Sequence, residues 1–328
     1  MSAKSTPGSL YLPDRFTLML VGALVLARLF PATGAAETVV RQLTAAGVAA
    51  MFFLHGARLS REAILAGIGH WRLHGMVLGS TFLLFPLLGV LFEPLLARWI
   101  GPALYLGVLY MCMLPSTVQS SIAMVSMARG NIPAAVCSAS ASTLLGIVVT
   151  PLLVGLLMAR PDATTATGSF DAIGRITLQL FVPFAAGHLL RPWIGSFVTG
   201  NARLLKAVDQ GSVLLVVYAA FSAAVAEGLW RQVSWSELGG LMAIDAGLLA
   251  VALSLTVWTA RRLGFSKEDE ITIMFCGSKK SLASGAPMAS ILFAGSTVGV
   301  ILLPVMLFHQ IQLMVCAVLA RRYARRLR

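Results

Sequence analysis

Apolar runs separated by short polar stretches recur from one end of the chain to the other. Their lengths match a membrane crossing, for which about 20 apolar residues at 1.5 Å rise span a ~30 Å hydrocarbon core. The pattern predicts ten such helices, at 16–30, 43–57, 74–96, 103–127, 132–158, 175–190, 211–226, 238–260, 271–293 and 298–320. The first two are short, and Pro31, Gly47 and Gly56 bound or interrupt them. The implied fold class is an all-α polytopic membrane protein.

Two runs carry polar residues in their middles. The ninth holds Phe-Cys-Gly-Ser-Lys-Lys-Ser-Leu-Ala-Ser-Gly-Ala-Pro at 275–287. A lysine at mid-bilayer costs at least about 2.5 kcal/mol, so Lys279 and Lys280 must face protein or a wet cavity. Neighbours on a helix point about 100° apart, so both reach one cleft only if the helix breaks there. Gly277, Gly285 and Pro287 supply the means. The fourth run holds Leu-Pro-Ser-Thr-Val-Gln-Ser-Ser at 114–121, with a proline again in its middle. The longest outer loop, 159–174, separates a first half (1–158) from a second (175–328), five spans each. Both breaks fall in the fourth span of their half. Five is odd, so the second half enters inverted, and paired broken helices in inverted repeats mark a transport site.

Composition strengthens this reading. The chain of 328 residues is 58% hydrophobic and 12% charged, with mean hydropathy +0.85, against about 25% charged in a soluble domain. The net charge of +12 does not point to nucleic acid, because Lys and Arg gather in short loops and at the C-terminus. With both termini inside, the inner segments carry 17 of these residues and the outer ones 6. That asymmetry predicts cytoplasmic termini and a multi-pass inner-membrane protein. The tail after Ala320 is expected to lie on anionic lipid headgroups. The four cysteines (Cys112, Cys137, Cys276, Cys316) sit in apolar runs without metal spacing and read as small buried hydrophobes. The N-terminus is polar up to Arg15 and lacks a cleavage signal, so the first run is expected to stay as a span.

Unwinding span four would free backbone carbonyls. With Ser116, Thr117, Gln119, Ser120 and Ser121 they make a neutral oxygen cage for a hard monovalent cation, while the half-helix starting near Ser120 turns its positive end toward an anion. In span five, Ser138 and Ser142 share one face, open to either the site or packing. Ser140 lies opposite, where close helix packing is its expected role. In span nine the candidates are Gly277, Ser278, Lys279, Lys280, Ser281 and Ser284, and which lysine faces the site stays open. Asp245 in span eight pairs with a lysine, relays a proton, or lies near the outer interface. His309, beside Gln310 and Gln312, relays protons or bonds a neighbouring helix.

These residues carry a resemblance. Gln119-Ser120-Ser121, then 128–131 (Ala-Arg-Gly-Asn), Ser138 to Thr143 and Thr150-Pro151 resemble spans four and five of the bile acid:sodium symporter family. Phe-Cys-Gly-Ser-Lys-Lys-Ser-Leu-Ala-Ser-Gly at 275–285 resembles its ninth span, in the divergent branch that includes member seven of solute carrier family ten. The resemblance implies a panel domain and a core domain, with spans four and nine crossing at unwound centres. It also implies that sodium-coupled relatives have an acid where this chain has Phe275 and an amide where it has Lys279. Their span-five hydroxyls fall on Ala135 and Ala139 here. Sodium as a bound ion is therefore largely without ligands, and an ammonium stands in its place. No other cofactor and no metal site is expected. The expected partners are the bilayer and a small organic anion.

No phosphate-cradling loop and no His-Glu-x-x-His occurs. Two other readings remain open: a regulator or scaffold that has lost transport, and an intramembrane hydrolase using Ser281 with a neighbouring lysine.

Overall fold

Every regular element among the described residues is helical. The structure, a computed structural model, describes residues 15–58, 69–158, 170–226, 228, 234–293 and 297–325. The expected outer linker lies outside them up to residue 169, as do the last three residues of the basic tail. The helices are α1 (Arg15–Leu29), α2 (Ala35–Arg58), α3 (Trp71–Leu91), α4 (Glu93–Met113), α5 (Gln119–Met127), α6 (Ile132–Leu157), α7 (Phe170–Gly200), α8 (Ala202–Ala226), α9 (Trp235–Arg262), α10 (Lys267–Gly277), α11 (Leu282–Leu292) and α12 (Thr297–Ala324). Seven of them, α2, α3, α4, α6, α8, α9 and α12, are long and apolar enough to cross a membrane. The chain is thus an all-helical, multi-pass membrane protein.

Some boundaries differ from the apolar pattern. The run at 74–96 is not one helix: α3 ends at Leu91 and α4 begins at Glu93. Pro94 sits in the first turn of α4, where its missing N–H costs nothing. Gly101, at φ 76, then kinks α4 just before Pro102. Helix α2 starts at Ala35 rather than 43, because Glu37 suits the positive end of a helix.

Helix α2 packs on α7 and α8, and α1 packs on α8. Helices α3 to α6 and α9 to α12 form a second group, joined to the first through α8 against α11 and α12 and through α7 against α6. Helices α2 and α7 touch backbone to backbone. A Cβ on Gly56 would overlap the Phe184 carbonyl, and one on Gly187 would overlap the Phe53 carbonyl. Lipid gives no hydrophobic drive between helices, so such close approach holds them together. Gly187→Val is expected to part α2 from α7 and lower the melting temperature in detergent by several degrees, in line with about 1–3 kcal/mol for overpacking. Gly75→Val, with nothing within 4 Å of its Cβ, should leave it unchanged.

A buried carboxylate ties three helices together where α9 ends. Glu270 accepts from Arg261 Nε at 3.0 Å, Lys267 Nζ at 2.6 Å and the Tyr323 hydroxyl at 3.1 Å. Burial opposes ionisation of Glu270, but the hydrogen bonds from Arg261, Lys267 and Tyr323 together outweigh it and hold the carboxyl below its usual range. A lowered folded-state value means the stabilisation is complete above the ordinary carboxylate range and is lost as pH falls through the lowered value. Thermal unfolding followed from pH 7 downward should show this acid loss, and Glu270→Gln should flatten it.

Candidate functional site

The first break follows from Pro115. Leu114 before it is extended (φ −72, ψ 152), as residues before proline prefer, and helix resumes at Gln119. The second break covers Ser278 to Ser281. Ser281 caps α11 by accepting from Ser284 N at 3.1 Å, and Ser278 Oγ folds back onto the Met274 carbonyl at 2.6 Å. Gly285 and Pro287, expected to help break the helix, lie inside α11 instead. Gly285 leaves room for Leu114, whose side chain a Cβ would overlap, and its carbonyl accepts from Tyr110 at 2.7 Å.

The two breaks abut, and each satisfies the other's freed backbone. Ser281 N donates to the Pro115 carbonyl at 2.9 Å. Ser116 Oγ donates to the Cys276 carbonyl at 2.5 Å, and Ser121 Oγ to that of Phe275 at 3.2 Å. Ser116 N reaches Ser142 Oγ on α6 at 2.9 Å. Irregular backbone at membrane depth persists only where protein supplies such partners. The hydroxyls read from sequence as an ion cage are therefore engaged with protein atoms. Thr117 Oγ1 bonds Ser121 Oγ at 2.7 Å and accepts from Ser120 Oγ at 2.9 Å.

Both lysines of the second break are buried. Lys280 Nζ donates to the carbonyls of Thr81, Cys112 and Leu114 at 2.7, 2.7 and 2.9 Å. Each oxygen is spare for a local reason. Residues Ser80–Leu84 form a π turn in α3, in which Phe85 N bonds the Ser80 carbonyl and so leaves that of Thr81 free. Cys112 and Leu114 lie at the end of α4, where Pro115 stops the ladder. The Phe85 ring closes the seat, with its centroid 4.3 Å from Nζ. Gln312 fixes the lysine's own backbone, accepting from its N–H at 2.8 Å and donating to its carbonyl at 2.7 Å. Lys279 points elsewhere, donating to Ser120 Oγ at 2.8 Å. Neither ammonium reaches Ser281, whose oxygen serves the α11 cap, so the Ser–Lys hydrolase pair is not assembled.

Beside the crossing lies a cavity of about 470 Å³. Thr117, Gln119, Ser120, Ser281, Ser284 and His309 form one wall, which carries the N-terminal ends of α5 and α11. Helices α2 and α8 supply the other, with His55, Arg58, Lys206, Asp209 and Gln210. Ser140, expected to pack against a helix, lines the cavity instead, while Ser138 bonds His74 Nδ1 at 2.7 Å on α3. His309 Nδ1 meets Gln312 Nε2 at 3.0 Å, one residue from the Lys280 backbone. Gly277 lies against Ser80, where a Cβ would come to 3.1 Å. Asp245 is fully buried within α9, and neither carboxyl oxygen has a partner among the described residues. The α2–α8 wall was not singled out from sequence, because Arg58 and Lys206 look like loop charges. Its signal is Lys206, Asp209 and Gln210 spaced along one face of α8.

Comparison with known proteins points the same way. The profile described as the SBF-like CPA transporter family matches residues 14–325. The chain is 60% identical over 316 residues to "Uncharacterized protein PA2026" of Pseudomonas aeruginosa, covering 96% of this chain and 94% of that one. It is 57% identical to "Putative symporter YfeH" of Escherichia coli K12, covering 95% and 93%. It is 27% identical over 310 residues to "Sodium/bile acid cotransporter 7" of Rattus norvegicus, covering 93% and 90%.

Proposed function

Since the chain belongs to the SBF-like CPA transporter family, we propose that it is a secondary-active carrier of a small organic anion in the inner membrane. In this reading ten spans form two inverted five-helix halves, and both termini are cytoplasmic. An alkaline phosphatase fused after Arg328 should then be inactive; activity there would sink the ten-span topology.

The observation that carries the reading is the seat of Lys280. Three backbone carbonyls converge on its ammonium at 2.7–2.9 Å beside two broken helices. Oxygen cages of this kind at unwound helices bind coupling cations in carriers. Here a tethered cation fills the seat. It draws the freed carbonyls together as sodium would, but it cannot dissociate and so cannot carry an ion gradient. The nearby cavity, with two helix N-termini and Lys279 behind Ser120, suits an anion. Its transport is therefore independent of sodium, and runs as uniport, exchange or proton-linked movement with Asp245 and His309 as proton groups.

A thermal-shift screen of small organic anions on the purified carrier, in sodium and in choline chloride, tests this, because a ligand of the native state raises its stability. The expected result is stabilisation by anions to the same extent in both salts. A hit that works only in sodium would overturn the seated-ammonium account.

A further inference from the structure

A second cavity, of about 550 Å³, runs between α9 and α12 and shares no lining residue with the one beside the crossing. Ala246, Ala250 and Ser254 line it from α9, at the four-residue spacing of one helix face. Ile311, Val315 and Leu319 line it from α12 at the same spacing. The α9 side chains are too small to fill the space between the two packed helices, and all three are exposed. The groove is therefore open to the hydrocarbon that surrounds a membrane protein. From Ala246 to Arg261 it runs about 22 Å at the α-helical rise, somewhat more than the ~15 Å of one leaflet.

The groove is apolar along its length and cationic at one end. Arg261 lines that end, and its side chain is 56% exposed. Glu270 takes its Nε and Nη2 at 3.0 and 3.2 Å, which fixes the guanidinium and leaves Nη1 outside the pair. Arg322 lies three residues past Leu319 on the same face of α12 and is exposed. Trp258, also in the lining, carries the Arg262 guanidinium 5.4 Å from its ring centroid. Of the carboxylates in the first turn of α10, Glu270 is buried and Asp269 accepts from Asn131 Nδ2 at 2.9 Å. That leaves Glu268 against three arginines.

We infer that this groove is the seat of one anionic glycerophospholipid. An acyl chain lies along α9 and α12, and Arg261 and Arg322 hold the phosphodiester beside the Trp258–Arg262 pair. Guanidinium groups suit a phosphate, and basic pockets between membrane helices bind anionic headgroups. Tryptophan belongs at the headgroup level, which sets the depth of the seat. A second copy of this chain fits less well, because a symmetric contact through the groove would bring the same arginines face to face. The seat is separate from the anion carriage proposed above and does not depend on it.

The test uses the full-length carrier, purified and delipidated in detergent. Its melting temperature is followed against added dioleoyl phosphatidylglycerol, dioleoyl phosphatidylcholine and glycerol 3-phosphate, and native mass spectrometry counts bound lipids and copies of the chain. The expected result is saturable stabilisation by phosphatidylglycerol at about fivefold lower concentration than by phosphatidylcholine, and none by glycerol 3-phosphate. Ala250→Phe fills the groove from an exposed position without touching the arginines, and Arg322→Gln removes one charge. Both should lose the preference and keep the lipid-free melting temperature. Equal effects of the two lipids, or glycerol 3-phosphate matching phosphatidylglycerol, would overturn the seat. A preference that survives in Ala250→Phe would do so as well, since it would belong to the basic tail and not to the groove. A lipid-free dimer that Ala250→Phe abolishes would give the groove to a second copy and overturn it too. Should Ala250→Phe not fold, an unchanged preference in Arg322→Gln decides against the seat.

Discussion

Lys280→Met is expected to destabilise the protein more than any other single substitution at the crossing. Methionine keeps most of the stem and its contact with the Phe85 ring, so the loss isolates the ammonium. Three carbonyls that converge on Nζ would be left buried without donors. Each such orphan costs about 1–3 kcal/mol, and removing one side of a buried charged cluster typically costs about 3–5 kcal/mol in all. These oxygens belong to α3, to the end of α4 and to the break itself, so the damage falls where the two broken helices meet. Lys280→Arg should fare little better, since a planar guanidinium does not fit a seat shaped for a point charge. Lys280→Ala gives the sharper readout. It vacates the seat while the π turn and Pro115 still present their carbonyls. Ammonium, sodium or potassium should then restore melting temperature in a saturable way, while the wild type responds to none of them. A Lys280→Met protein as stable as wild type, or a Lys280→Ala protein indifferent to cations, would show that the seat does not depend on its charge.

This seat was only half legible in the sequence. Two adjacent lysines inside an apolar run announce a broken helix, because lipid tolerates neither the charges nor a continuous helix that splays them. The partners are another matter. Thr81 contributes through its backbone, and its carbonyl is free because α3 makes a π turn at Ser80–Leu84 and the next donor position, Pro86, has no N–H. Pro86 marks a disturbed ladder there, but it does not say that the spare carbonyl faces the second break. The same limit explains the misplaced hinge. Gly285 and Pro287 look like helix breakers, yet Ser281 caps α11 ahead of both, and Gly285 is needed for the close approach of Leu114. Side-chain hydroxyls gave the opposite error. Ser116 and Ser121 suit an ion cage by composition, but the cheapest partners for their hydrogens are the carbonyls freed at the end of α10. Long apolar elements such as α6 and α12 were read well, since periodicity hardly matters when the whole surface is apolar. The ends of α2 and α7 were not, because charged residues such as Glu37 and Arg191 continue a helix past the apolar run.

Lys279→Gln is expected to weaken anion binding by at least tenfold, or about 1.4 kcal/mol, while leaving the fold intact. A glutamine amide can still donate to Ser120, so the bond that holds the side chain beside the cavity survives and only the charge goes. The loss should appear in the affinity of every anion that binds wild type. It should be larger at low salt only to the extent that the site is open to solvent, because buried charges are screened weakly. In the proposed mechanism the two lysines divide the work: Lys280 takes the place of an ion, and Lys279 attracts the anion. Their roles separate in one further variant. Lys279→Gln with Phe275→Glu recreates the amide and acid expected of sodium-coupled relatives. Lys280 still fills its seat in that protein, so sodium should not enhance anion binding. Sodium stimulation is expected only when Lys280→Ala is added and the three carbonyls are free to take the ion. If the double variant responds to sodium with Lys280 in place, the ion position belongs to Lys279. The carbonyl seat is then a structural anchor alone.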